Sequence, residues 1–108
     1  MPRLDFYVNY ELQATVNLDA PEVVIGRDPS CAICMPDPKV SRVHAVLRPV
    51  DGGHEIENRG VNGTKVNGRK IEGWQRLDPG DAIFISRFIL IYQSDDAPPA
   101  EPTRTLLA

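Results

Sequence analysis

Apolar and polar residues alternate with a period of two through most of this chain, the pattern of half-buried β-strands. Leu4, Phe6 and Val8, then Leu12, Ala14, Val16 and Leu18, fall on one face of extended chain. Pro21 interrupts the run before a short apolar strand at residues 23–25, and Gly26-Arg27-Asp28-Pro29-Ser30 reads as turn. Val43, Ala45 and Leu47 alternate until Pro49, and Asp51-Gly52-Gly53 supplies a turn before the strand pattern of residues 54–58.

The second half continues in the same way. Thr64-Lys65-Val66 and Arg69-Lys70-Ile71 flank Asn67-Gly68. That dipeptide suits a two-residue turn in which both central residues take positive φ, so the segment predicts a tight hairpin. Leu77-Asp78-Pro79-Gly80-Asp81 is a further turn, leading into two strands rich in β-branched and aromatic residues at 82–86 and 88–93. No window carries a capped helical repeat. Many short strands separated by turns every eight to twelve residues or so predict an all-β sandwich or barrel. Residues 94–108 are acidic and proline-rich, and read as a disordered tail or the start of a linker, leaving one domain over 3–93.

A chain of 108 residues is one domain by length, with an ordinary 42 % hydrophobic and 25 % charged content. No run is long enough to span a bilayer and the start lacks the apolar stretch of a signal peptide, so a cytoplasmic protein without membrane partners is expected. The net charge of −3 argues against nucleic acid as a partner. The charge is unevenly spread: residues 27–70 hold eight basic and five acidic side chains, the remainder four basic and ten acidic. An acidic protein with a basic middle attracts a compact anion without attracting a long polyanion.

Candidate chemistry of the catalytic kind is sparse. Cys31 and Cys34 form a Cys-x-x-Cys pair, but only His44 and His54 could complete a zinc site, at unsuitable spacings. Nothing around the pair reads as the helix that a redox couple opens, so both are expected to be small buried apolar side chains. Ser41 and His44 are three apart, a spacing that does not aim one at the other in strand or loop. No catalytic, metal or cofactor site is expected.

Loop residues are more telling. Arg27 follows a strand, Lys39 and Ser41-Arg42 sit in a proline-bounded loop, and Asn62-Gly63-Thr64 occupies a glycine-rich one. Arginine offers paired planar donors to phosphate, serine a hydroxyl, and asparagine both donor and acceptor for a peptide backbone. If those loops share one end of a sandwich, they form an anion pocket.

In this order and at these intervals, Val24-Ile25-Gly26-Arg27, Ser41-Arg42-Val43-His44-Ala45, Asn62-Gly63-Thr64, Val66-Asn67-Gly68 and Leu77-Asp78-Pro79-Gly80-Asp81 resemble the forkhead-associated (FHA) domain family. The resemblance implies an eleven-stranded β-sandwich whose apical loops hold phosphothreonine, recruiting partners after a serine/threonine kinase has acted. Carried over, Arg27 contacts the phosphate by charge, Ser41 donates its hydroxyl to it, and Arg42 supports phosphate or peptide. Asn62 holds the ligand main chain, and Lys39 reads the third residue after the phosphothreonine, favouring an acidic one. Gly26, His44, Gly63, Thr64, Asn67 and Gly68 are then scaffold.

One position departs from the family pattern: Val61 stands where a serine or threonine often adds a further phosphate bond. A phosphate-independent interaction scaffold of the same fold therefore remains as the alternative. Thr103 and Thr105 could, once phosphorylated, serve as ligands in cis or in a second copy.

Overall fold

The computed structural model describes residues 2–93. Its eleven strands form two sheets with no helix among the described residues, in agreement with the expected all-β sandwich. The strands are β1 (Arg3–Val8), β2 (Glu11–Asn17), β3 (Val23–Gly26), β4 (Ile33–Cys34), β5 (Ala45–Val50), β6 (Gly53–Asn58), β7 (Lys65–Val66), β8 (Arg69–Lys70), β9 (Trp74–Leu77), β10 (Ala82–Ile85) and β11 (Phe88–Gln93). One sheet runs β2-β1-β11-β10-β7-β8 and the other β4-β3-β5-β6-β9. All pairings are antiparallel except β3 with β4.

The inner faces interdigitate through Leu4, Ile25, Leu47, Ile56, Ile83 and Leu90, all fully buried. Each such side chain contributes about 1.5–3 kcal/mol by leaving water. β3 carries Ile25 into this core and stops one residue later, at Gly26, which delivers Arg27 to the end of the sandwich.

Three details differ from the sequence pattern. Phe6 pairs Ala14 while Tyr7 pairs Leu12, so Gln13 is an extra residue on β2. This bulge reverses the parity of the strand and turns Leu12 outward, 45 % exposed, instead of toward the core. Val43 is likewise exposed and lies outside β5, which begins at Ala45 and runs through Pro49 to Val50. Proline is tolerated there because β3 pairs β5 only as far as Val23 opposite Leu47, so no neighbour on that side requires its missing N–H. Finally, Cys31 and Cys34 are half-buried free thiols rather than buried apolar groups. They donate to the backbone carbonyls of Arg42 (3.3 Å) and Arg27 (3.6 Å).

The Asn67-Gly68 turn has φ of 52° and 84°, as the hairpin requires. Residues 94–108, with Thr103 and Thr105, lie outside the described residues, as does the tail expected there.

Candidate functional site

Three loops close one end of the sandwich: β3–β4, β4–β5 and β6–β7. Their junction begins at Gly26, where a Cβ would stand 2.1 Å from the Arg42 carbonyl oxygen. Only glycine permits that approach. The Arg27 amide then donates to the Ser41 carbonyl (3.0 Å) and the Asp28 amide to that of Arg42 (3.3 Å), stitching the β3–β4 loop to the β4–β5 loop.

The side chains continue the stitching. Arg27 Nε donates to the Val40 carbonyl at 3.0 Å, the one side-chain hydrogen bond it makes among the described residues. Anchored by that nitrogen, the exposed guanidinium has its two terminal amino groups unengaged among the described residues. Ser41 is half-buried, and its Oγ accepts the Val61 amide at 3.1 Å. A hydroxyl that accepts there still has its proton to donate elsewhere. Asn62 Nδ2 donates to the Lys39 carbonyl at 2.8 Å, tying the β6–β7 loop across to the β4–β5 loop while Oδ1 stays open.

His44 sits beneath, fully buried. Its Nδ1 accepts the Ser41 amide (3.0 Å), so Nε2 carries the proton and donates to the Gly63 carbonyl (2.8 Å). One imidazole thereby fixes the spacing between the serine loop and the asparagine loop.

Charge at this end is mixed. Asp28 lies beside Arg27 and Arg42, and its carboxyl is held below the usual range, first by the Ser30 amide and hydroxyl and then by Arg42 and Arg27. Asp37 is lowered by the Lys39 amide and by Arg87, with which it pairs at 3.1 Å. Among the described residues, Arg27, Lys39 and Arg42 form no ion pair.

The loops thus bring together Arg27, Lys39, Ser41, Arg42 and Asn62, with Gly26, His44 and Gly63 packed among them. Arg42 joins through its carbonyl, while its side chain is exposed. Asn67 and Gly68 are not part of this cluster: Asn67 bonds Asp81 and the Ala82 amide, fastening the β7–β8 hairpin to β10. Thr64 is buried and donates to Asn58 Oδ1 at 2.8 Å.

Two residues that the sequence reading passed over shape the asparagine loop. Asn58 Oδ1 accepts the Gly60 amide (3.1 Å) and its Nδ2 donates to the Gly60 carbonyl (3.0 Å). The Asn-x-Gly spacing was the available signal, since asparagine caps backbone two residues on. Gly60 lies flat against His44, where a Cβ would come within 2.5 Å of three ring atoms. Nothing in its local sequence announces that contact.

Comparison with known proteins matches this arrangement. The FHA domain family profile aligns with residues 23–86. The chain is 40 % identical over 76 residues to the oxoglutarate dehydrogenase inhibitor of Corynebacterium diphtheriae, covering 69 % of this chain and 52 % of that protein. It is 41 % identical over 71 residues to the ABC transporter ATP-binding/permease protein Rv1747 of Mycobacterium tuberculosis, covering 65 % of this chain and 8 % of that one. This chain therefore spans about half of the first relative's length and a small part of the second's. Among solved structures, EmbR of Mycobacterium tuberculosis in complex with a low-affinity phosphopeptide is similar with a TM-score of 0.80 and 25 % identity, over 92 % of this chain and 26 % of that one. By sequence profile and by fold, the chain belongs to the FHA domain family.

Proposed function

We propose that this domain binds phosphothreonine in a partner protein and thereby recruits that partner after a serine/threonine kinase has modified it. The observation that carries this reading is the pair Arg27 and Ser41. Each is anchored through one atom, Nε to the Val40 carbonyl and Oγ to the Val61 amide, with its remaining donors left for a ligand. A phosphate dianion takes the terminal amino groups of Arg27 and the Ser41 hydroxyl proton. Arg42 adds charge from the same loop. Asn62 exchanges its bond to the Lys39 carbonyl for one to the ligand main chain, and Lys39 favours an acidic residue further along.

A non-catalytic role fits this site, because His44 spends both ring nitrogens on backbone and is not placed as a base for Ser41. The net charge of −3 favours a peptide carrying a compact anion over nucleic acid or a membrane surface. A cytoplasmic location, where kinases act, fits this role. No described helix is long and apolar enough to cross a membrane.

Fluorescence anisotropy with phosphothreonine peptides and their unphosphorylated twins tests the proposal. Selective binding of the phosphorylated set, lost in Arg27→Ala, is expected. Equal binding of both sets overturns it, in favour of a phosphate-independent scaffold. The fully aliphatic apex at Val61, 90 % exposed, is the observation behind that second reading.

A further inference from the structure

Lys65 on β7 and Lys70 on β8 are direct cross-strand partners. Their Cβ atoms therefore stand about 5 Å apart on one face of the sheet, an arrangement in which like charges repel. Neither makes an ion pair among the described residues. Lys70 does not simply extend into water. Its Cε lies 2.7 Å and its Nζ 3.4 Å from the place where Gly63 would carry a Cβ. The lysine stem is laid across Gly63, a residue whose φ of +81° also excludes an ordinary side chain.

Gly63 directly follows Asn62. The two lysines therefore stand beside the residue that would hold the ligand chain. They lie on the strand side of Gly63, on β7 and β8, whereas Lys39 lies across from Asn62 at its side-chain amide. An open hollow of about 410 Å³ runs from Asn62 and Gly63 past Lys65 and Gly68 to Phe84 and Ser86. Its lining includes the half-buried ring of Phe84 and Lys65, so a peptide crossing it has apolar surface to cover and one ammonium group at hand, with Lys70, the cross-strand neighbour of that lysine, just outside the hollow.

We infer that Lys65 and Lys70 form a second anion subsite, which takes a carboxylate or a second phosphate carried on the same peptide as the phosphothreonine. This rests on the reading that Asn62 holds the ligand chain. An anion between the ammonium groups relieves their repulsion, and a phosphate dianion does so more fully than a carboxylate.

The test uses a phosphothreonine peptide with neutral flanks, into which a single glutamate, or a second phosphothreonine, is walked from three residues before to four residues after the first. One position separate from the one that depends on Lys39 is expected to tighten binding about 3–10-fold, more for phosphate than for glutamate, and less at high salt. The double variant Lys65→Ala with Lys70→Ala should erase that gain while leaving the neutral peptide's affinity within about twofold. Lys70→Glu should invert the preference toward lysine at the same position. Both lysines are exposed, and thermal melts establish that the variants fold. A walk with no such position overturns the second subsite, as does a gain that survives the double variant; the two lysines then serve only as the charges that keep the β8 edge from pairing with other chains. If the neutral phosphopeptide itself fails to bind, the phosphothreonine reading falls first and the subsite with it.

Discussion

The Val61 amide donates a hydrogen bond to Ser41 Oγ across the gap between two loops, at 3.1 Å. The serine hydroxyl is thus oriented before any ligand arrives, with one lone pair engaged and its proton free. Pre-ordering of this kind reduces what binding must spend on immobilising the group.

Ser41→Ala should therefore weaken phosphopeptide binding much more than it weakens the fold. A lost hydrogen bond to a charged group amounts to about 1.5–3 kcal/mol, or roughly 10–150-fold in affinity. The Val61 amide it leaves behind is exposed and finds water, so unfolding free energy should fall by about 1 kcal/mol or less. Anisotropy titration and urea unfolding of the same variant separate the two effects. A stability loss that matches the binding loss would show that Ser41 acts on the loop alone.

Val61 offers the converse experiment. It is 90 % exposed, so its side chain contributes almost nothing to packing and can be changed freely. Val61→Ser places a hydroxyl at the apex, beside the serine whose oxygen its own amide already contacts. Affinity for a phosphothreonine peptide should rise by roughly tenfold, one further charge-assisted bond, with the melting temperature unchanged. No gain would mean that the apex lies beyond reach of the phosphate.

Most of the fold could be read from the chain because its signals are local. Alternation specified the strands, and Asn67-Gly68 specified its own turn through the φ values it needs. The errors fell where one residue resets a local pattern. Gln13 inverts the face of Leu12 through a bulge, which alternation cannot anticipate because the extra residue is visible only against its partner strand. β9 also went unread, since Trp74-Gln75-Arg76-Leu77 presents two exposed polar residues between two less exposed ones and pairs only along one edge. At the site, Arg27, Ser41 and Asn62 were legible as residue types suited to phosphate, but their convergence depends on Gly26 and His44, which bring distant backbone together. The partners of Arg27 and Asn62 are the Val40 and Lys39 carbonyls, and backbone partners leave no trace in side-chain identity.

Gly60 is the tightest point of that convergence. Adding one methyl there sets it 2.5 Å from the His44 ring, which is fully buried and held at both nitrogens. The ring cannot swing aside without giving up the Ser41 amide or the Gly63 carbonyl. Gly60→Ala should then cost about 1–3 kcal/mol, as overpacking does, and lower the melting temperature by roughly 5 °C or more. Binding should weaken too, because the serine and asparagine loops lose their common spacer. Wild-type melting and affinity in this variant would show that the loop shifts freely, and that His44 does not set its position.

His54 should make the fold sensitive to mild acid. It is 5 % exposed, shares a hydrogen bond through Nδ1 with the Tyr92 hydroxyl at 2.9 Å, and so links β6 of one sheet to β11 of the other. Burial holds its pKa below the ordinary 6.5; the Leu18 backbone pulls the other way by less, and among the described residues Nε2 has no hydrogen-bond partner. The unfolded chain takes up a proton near pH 6.5 that the folded chain refuses until lower pH. Stability should thus be level above pH 6.5 as far as this group is concerned, and fall as pH drops from there toward the folded value, by at most about 1.4 kcal/mol per pH unit. Asp28 and Asp37 are both held below the usual carboxylate range, so their contributions are lost only at pH below about 4. Urea unfolding at pH 7.5, 6.5 and 5.5 therefore avoids those carboxylates, and the difference from a His54 variant separates this histidine from His44. His54→Gln, which can still bond Tyr92 but does not titrate, should show a flatter profile across that range. Parallel profiles for the two proteins would mean that His54 accepts its proton as readily in the fold as out of it.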